Sequence, residues 1–552
     1  MTSKTQTTPV RRGPLAVQTG AKPLVILCIA VIGVLLILPV LSVLSSFFIA
    51  DGQTMRHLLA NNGFGYLVNT IKLCVLVAVI AGSFGAVCAV LVSITEFPGR
   101  RAFSFLLALP FAFPAYILAY VYGDFFGPFG GFASFIIEAF SLADRRAVTA
   151  ILPDFFNIGG AALILSLAVY PYVYLAVRAD LSGRSAAYLE ASRALGASPV
   201  SAIRRVILPG ASAAFFGGLT LALMEVAADY GVSDYLGVPT LSVGIFRTWY
   251  GFGDLPAAAQ IAGGLFLVAL FLLLLEMAAR KGQRSQSVRA HRGAMRLSMP
   301  VPMQIFAVII CALPVLFGFF LPLFVLLTKM VFVNENLRTG LFLSAALNTG
   351  TIAAIASLII MVLAVIFAYL GRVSRSVFTR VGIRIVTIGY ALPGAVIAVG
   401  ILLVGKTVFT PLGINLTALG ILLLVYAYAA RFITAGYNNA HAGLDAIDHG
   451  LDFAARNLGA GPGRVVRDIH WPIGRHALLA GLVIVFIDIA RELPATLLLR
   501  PLNFETLATQ VYRLAADEKL TQAAPAALLL VAMGLVPVMI LSVIGHKKSG
   551  SK

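Results

Sequence analysis

Runs of about twenty or more apolar residues recur along this chain, at roughly 23–49, 66–94, 103–122, 158–178, 211–230, 257–279, 303–330, 346–370, 383–405, 412–430, 475–499 and 523–545. A helix needs about 20 such residues to cross a hydrocarbon core of about 30 Å. None of the runs alternates with the period of two that barrel strands require, so helices are the only way to satisfy their backbone in lipid. The expectation is an all-α polytopic membrane protein with about twelve transmembrane helices. The bulk numbers agree: 60% of the 552 residues are hydrophobic, 12% are charged, and mean hydropathy is +0.95, far from a soluble domain.

Twelve spans place both ends on one side, and Lys and Arg choose the side. The N-terminus, the even-numbered connections and the C-terminus hold 29 of the 41 basic residues, the opposite connections hold 11, and Lys72 lies within a span. The richer face is read as cytoplasmic. The net charge of +18 reflects this bias and no nucleic-acid partner is expected. The polar stretch Met1–Lys22 reads as a cytoplasmic tail and not as a cleavable signal.

The chain also repeats itself. Asn69-Thr70 and Asn348-Thr349 both open a span, and PAYILA at 114–119 stands the same 279 residues before PGAVIA at 393–398. Farther on, ASRALGASPVSAIRRVILP (191–209) aligns with AARNLGAGPGRVVRDIHWP (454–472) at an offset of 263, with 8 identities in 19 positions. The change of offset puts about 16 extra residues of the first copy in the connection 123–157. Six spans per copy give two parallel repeats, with a pathway where they meet. The divisions are a tail 1–22, a first repeat 23–279, a basic linker 280–300, a second repeat 301–546 and a tail 547–552.

The best-matched segment lies on the cytoplasmic side of both copies, in loops at about 179–210 and 434–474. Each copy reads as a short helix, a glycine break (Gly196, Gly459), a second short helix, and a proline (Pro209, Pro472) that halts it. This pattern resembles the E-A-A-x3-G-x9-I-x-L-P loop of ABC importer permeases. The first copy matches at Glu190, Ala191, Gly196, Leu208 and Pro209, with Ser192 and Val206 as variants. The second keeps Ala454, Ala455, Gly459, Ile469 and Pro472, but has Phe453 for the acid and Trp471 for Leu; Asp452 is a candidate substitute acid. Arg193 and Arg456 could pair with acidic groups on a partner. Stretches 170–181, 223–250 and 491–524 further resemble the fused two-domain permeases of ferric-iron import. The resemblance implies two separate ATPase subunits docked on the loops, ATP bound there and no cofactor on this chain. It also implies a periplasmic solute-binding protein and a bacterial inner-membrane setting. Thiamine, putrescine or phosphonate compounds remain alternative cargoes, and an ion-coupled secondary transporter is the alternative class.

An offset of 263 also superposes Glu225 on Asp488 and Asp229 on Glu492, so each half carries acids at i and i+4 on one helical face. Ionisable groups at membrane depth cost about 2.5–3.5 kcal/mol each and should face protein or water. Two readings stand: a ring of acids along a cation path, or structural groups, with Arg491 neutralising Asp488 or Glu492 and Asp229 capping a helix.

Other features point away from chemistry on this chain. GILLVGKT at 400–407 fits the phosphate-loop pattern, but four of its residues sit inside an apolar run without a preceding strand. Cys28, Cys74, Cys88 and Cys311 lie in apolar runs without paired spacing. Tyr170, Tyr172 and Tyr174 read as a boundary belt or a path lining. The seven histidines are scattered, His441 and His449 in one loop among them. No constellation for nucleophilic or acid–base catalysis is visible, and the chain is not expected to be an enzyme.

Overall fold

The computed structural model describes residues 23–48, 52–61, 63–141, 148, 152–196, 198–281, 297–331, 339–373, 377–386, 392–413, 416 and 419–550. The expected tail 1–22, most of the linker 280–300 and residues 551–552 lie outside the described residues, whereas 547–550 of the expected tail 547–552 continue the last helix. In the first half the principal helices are α1 (Pro23–Ser45), α2 (Gly63–Ile94), α3 (Arg100–Leu106), α4 (Ala115–Phe125), α5 (Ile158–Ala194), α6 (Leu208–Ala228), α7 (Gly231–Tyr235), α8 (Leu241–Phe246) and α9 (Leu255–Lys281). The second half has α10 (Val301–Val315), α11 (Leu321–Val331), α12 (Thr339–Val373), α13 (Gly394–Val404), α14 (Gly420–Asp445), α15 (His449–Asn457) and α16 (Trp471–Ala490). It ends with α17 (Pro494–Leu499), α18 (Leu507–Ala516) and α19 (Leu520–Gly550). The described strands are a two-residue parallel pair, Thr95–Glu96 with Leu297–Ser298.

Ten helices among the described residues are long and apolar enough to cross a membrane, and an eleventh span is bent. Of the two remaining runs of the expected twelve, the third is bent and the ninth is described only in part. Arg100–Ala112 and Ala115–Phe125 meet at 87°, because Phe113 is extended and Pro114 donates no N–H to continue the ladder. At the equivalent place Pro393 precedes a short apolar helix, Gly394–Val408; residues 387–391, within the ninth run, lie outside the described residues. The tenth span also shifts toward the C-terminus, from 412–430 to Gly420–Asp445. Arg431, read as a loop residue, is thus inside a helix.

The repeated Asn-Thr pairs do the same task twice. Asn69 Nδ2 donates to the Pro239 carbonyl (3.2 Å) and Thr70 Oγ1 accepts from the Leu241 amide (2.9 Å). In the second half Asn348 Nδ2 donates to the Glu505 carbonyl (3.0 Å) and Thr349 Oγ1 accepts from the Leu507 amide (2.8 Å). Each pair satisfies the start of a short helix, α8 or α18, that would otherwise expose orphan amides.

The halves are interleaved. Helix α1 packs on α13 of the second half, and Ser42 Oγ donates to the Gly400 carbonyl at 2.9 Å. Reciprocally, α11 packs against α4, and Tyr122 of α4 donates to the Phe317 carbonyl at 2.7 Å. Association within lipid relies on close packing more than on apolar burial. Gly85 illustrates this: a Cβ there would lie 2.6 Å from Val173 Cβ and 3.0 Å from the Tyr170 carbonyl oxygen, so Gly85→Val would pry α2 from α5. Outward apolar side chains such as Val79, Leu358 and Phe271 stay exposed and are left for lipid.

Candidate functional site

The two loops form elbows on one face. In the first, α5 runs straight through the motif to Ala194, so its first part is an extension of the span and not a separate short helix. In the second, α14 ends at Asp445 and a distinct nine-residue helix, α15, begins after the cap Asp448. Both elbows then turn at a left-handed glycine, Gly196 at φ +79° and Gly459 at φ +82°, a conformation other residues adopt only with strain. The residues just before, Leu195 and Leu458, are 88% and 87% exposed. Sequence reasoning passed over these leucines, although Leu-Gly is identical in both copies.

The prolines do not halt the second part of either elbow, as the sequence led us to expect. Ile203–Ala228 and Gly463–Ala490 each run on as one span. A π-type turn precedes each proline's helix, Ile203–Ile207 and Val466–His470, which loosens the ladder where Pro209 and Pro472 lack an N–H. Leu208, Trp471, Pro472 and Ala454 are exposed, Ala455 and Arg456 half-buried, and Ser192 buried. Glu190, Ala191 and Arg193 lie on the helical backbone, but their side chains are outside the described residues. Asp452 points inward and is not offered for docking: its Oδ2 meets Arg372 Nε at 3.0 Å and its Oδ1 meets His470 Nε2 at 2.7 Å.

A cavity of about 720 Å³ opens between the halves, and all four superposed acids line it. Its far end is marked by Asp229 and Tyr230, its elbow end by Glu276, Asn438 and Asn439. Five carboxylates face two guanidiniums there, Glu225, Asp229, Glu276, Asp488 and Glu492 against Arg431 and Arg491.

The acids divide by position. Asp229 accepts from the Ser233 amide (3.0 Å) and hydroxyl (3.1 Å), and so caps α7. Glu492 does the same for α17, accepting from the Ala495 amide at 3.0 Å and the Thr496 amide at 2.9 Å. It is also paired with Arg431 Nη1 at 2.7 Å, with 1% of its side chain exposed. Arg491, the partner expected from sequence, instead donates to the Phe111 carbonyl (3.2 Å) and lies over that ring. Glu225 and Asp488 take part in none of these bonds; Asp488 feels the charge of Arg491 first, as the sequence suggested, and then that of Glu225 across the seam.

Beyond the cavity's far end the seam is closed by phenols. Tyr230 donates to Tyr512 (2.8 Å), which donates to Asp234 Oδ2 (2.8 Å), while Tyr250 donates to the Leu497 carbonyl (2.8 Å). Tyr230 also stacks on Phe246 with ring centres 3.7 Å apart. The tyrosines singled out in the sequence separate: Tyr170 and Tyr174 donate to the Leu107 and Ser104 carbonyls as buried struts, and Tyr172 lines the cavity. His441 pairs with exposed Asp445 at 3.3 Å. Cys74, Cys88 and Cys311 are buried and free. The apparent phosphate loop is the end of α13 running into another π-type turn, Gly405–Phe409. Among the described residues no three His, Cys, Asp or Glu side chains are grouped to hold a metal ion.

Residues 78–281 match the family of binding-protein-dependent transport system inner membrane components. The chain is 24% identical over 487 residues to the Fe(3+)-transport system permease protein FbpB 2 of Haemophilus influenzae, covering 86% of this chain and 89% of that one. It is 27% identical over 217 residues to the sulfate transport system permease protein CysT of Salmonella typhimurium (38% of this chain, 74% of that one). It is 25% identical over 243 residues to the putative 2-aminoethylphosphonate transport system permease protein PhnU of Salmonella paratyphi A (42% and 81%). These relatives are all transport system permease proteins. With two elbows and a cavity between its halves, the chain is a multi-pass membrane protein that resembles the permeases of binding-protein-dependent ABC importers over most of its length.

Proposed function

We propose that this permease carries ferric iron, handed to its far face by a periplasmic binding protein and released on the elbow face into the cytoplasm. The observation that carries the reading is the charge of the cavity, five carboxylates against two guanidiniums. At an effective dielectric near 20, one charge pair about 4–6 Å apart is worth about 3–4 kcal/mol. A cation gains on entering such a space, and a sulfate or phosphonate is repelled. The relative covering most of this chain is an Fe(3+) permease, in the same direction. Glu225 and Asp488 supply hard oxygen ligands near the pathway's middle, and Asp229 and Glu492 keep the walls in shape beside them.

Two ATPase subunits bind the elbow tips at Leu195 and Leu458. Their closure on ATP draws the elbows together, rocks the halves about the seam and parts the Tyr230–Tyr512–Asp234 contact, so the cavity exchanges its elbow-side opening for a far-side one. The excess of Lys and Arg assigned to the elbow face from sequence, 29 of 41 with Arg431 counted before its placement in α14, supports a cytoplasmic placement of the elbows and both termini.

The test is ATP hydrolysis by the purified complex with its binding protein. Ferric-loaded binding protein should stimulate hydrolysis several-fold over the empty form. Stimulation by a sulfate- or phosphonate-loaded form instead would overturn the choice of cargo.

A further inference from the structure

The elbows reach the same shape by different means. In the first half α5 is one helix of 37 residues whose internal proline, Pro171, lies far from the elbow, and from there it runs on to Ala194, so the tip at Leu195 moves with the span. In the second half the ladder breaks between Asp445 and His449, leaving a nine-residue helix too short to hold itself in place. One side chain bridges the break. Arg372, at the end of α12 and 4% exposed, donates Nη1 to the Leu444 carbonyl (2.6 Å) and Nη2 to the Ile447 carbonyl (2.9 Å). Its Nε donates to Asp452 on α15 at 3.0 Å. Asp452 in turn meets buried His470, just ahead of α16, at 2.7 Å. Arg372 thus ties the end of α14, the elbow helix and the next span into one body.

The same three positions of the first half carry no charges. At the repeat offsets, Arg372, Asp452 and His470 correspond to Ser93, Leu189 and Ile207. Ser93 Oγ is buried without a hydrogen-bond partner and Ile207 is buried as a plain apolar residue. The charged triad accompanies the helix break, and uncharged residues stand at its three positions where the helix is continuous.

We propose that Arg372 is the coupling pin of the second elbow, a positioning residue that makes a broken helix act as a rigid lever between the Leu458 tip and the cavity wall on α16. The proposal rests on the permease reading only for the direction in which force travels; the pin itself is testable without any partner. Removing it should leave a tip that still binds its ATPase but slips instead of pushing.

The experiment compares unaltered chain with Arg372→Gln in lipid nanodiscs, first alone and then assembled with the ATPase. Without the ATPase, amide hydrogen exchange of residues 449–457 should rise about tenfold or more on loss of charged hydrogen bonds, while residues 186–194 stay unchanged. In the assembled complex the ATPase should be retained, and substrate moved per ATP hydrolysed should fall by about fivefold or more. Arg372→Lys should recover part of the coupling, and Asp452→Asn, which keeps the bonds to both carbonyls, should fall between. Unchanged exchange at 449–457 would show that Arg372 pins nothing. Raised exchange with undiminished transport per ATP would show a structural clamp without a part in coupling. An unaltered complex that hydrolyses no ATP would count against the permease reading and leave the exchange result standing.

Discussion

Leu195 and Leu458 are the same residue twice: each is the last before a left-handed glycine, each crowns an elbow, and they are 88% and 87% exposed. An apolar side chain held in the open at the tip of a rigid turn is a ready anchor for a partner's pocket. Neither leucine supports the fold around it, so Leu195→Asp and Leu458→Asp should leave folding within about 0.5 kcal/mol. Each should weaken ATPase association by about 2 kcal/mol, roughly thirtyfold, and the pair together should abolish it. Retention of the ATPase on tagged, gently solubilised chain is the measurement.

Glu225 and Asp488 line the cavity from opposite halves, and Asp488 feels the charges of Arg491 and Glu225. Neutralising both, as Glu225→Gln with Asp488→Asn, should slow cation uptake by about tenfold, the effect of about 1.4 kcal/mol on the barrier. ATPase retention should be unaffected. Uptake in vesicles decides this, and an unchanged rate would take both acids off the route.

Glu492 ends three tasks at once if removed: a helix cap, a hydroxyl contact and the partner of Arg431. Glu492→Ala should destabilise the second half by about 3–5 kcal/mol, because the half-buried Arg431 guanidinium loses its carboxylate and the start of α17 loses its cap. Arg431→Met combined with Glu492→Gln should recover much of the loss. Thermal unfolding in detergent reads both.

Tyr512 links Tyr230 to Asp234 across the seam. Tyr512→Phe removes both bonds at about 1 kcal/mol each and should bias the permease toward its far-side-open state. ATP hydrolysis without binding protein should then rise severalfold.

Burial pushes the Asp452 carboxyl up, but its bonds to His470 and Arg372 outweigh this and hold it below the usual carboxylate range. A depressed acid contributes stability above its unfolded pKa of about 3.9, and the contribution disappears as pH falls through the lower folded value. Asp452→Asn should therefore lower the melting temperature near pH 7, and the difference from unaltered chain should close below pH of about 4. A constant difference across that range would contradict the ion-paired assignment.

Much of this fold is legible in the letters because lipid leaves few options. Apolar length alone locates ten of the spans, and the offsets of Asn69-Thr70 and Gly196 pick out places that the two halves build alike. The bent third span was missed because hydropathy averages over Pro114, whose effect is on backbone geometry and not on polarity. Pairing was the harder matter. Arg491 stood nearest to Glu492 in sequence, yet α14 brings Arg431 to it from 61 residues away. In the same way Asp452 looked like a docking acid until α12 placed Arg372 beside it. Local rules of helix faces find which acids are neighbours; which cation meets them is decided by how spans cross.

The most direct test is transport itself. Proteoliposomes holding the complete complex, with ATP on the elbow side and binding protein on the far side, should accumulate ferric iron and take up no sulfate. The same vesicles carrying Leu195→Asp and Leu458→Asp should accumulate neither. Sulfate entry, or iron entry that persists without ATP or with both tips altered, would contradict an acidic pathway driven through the elbows.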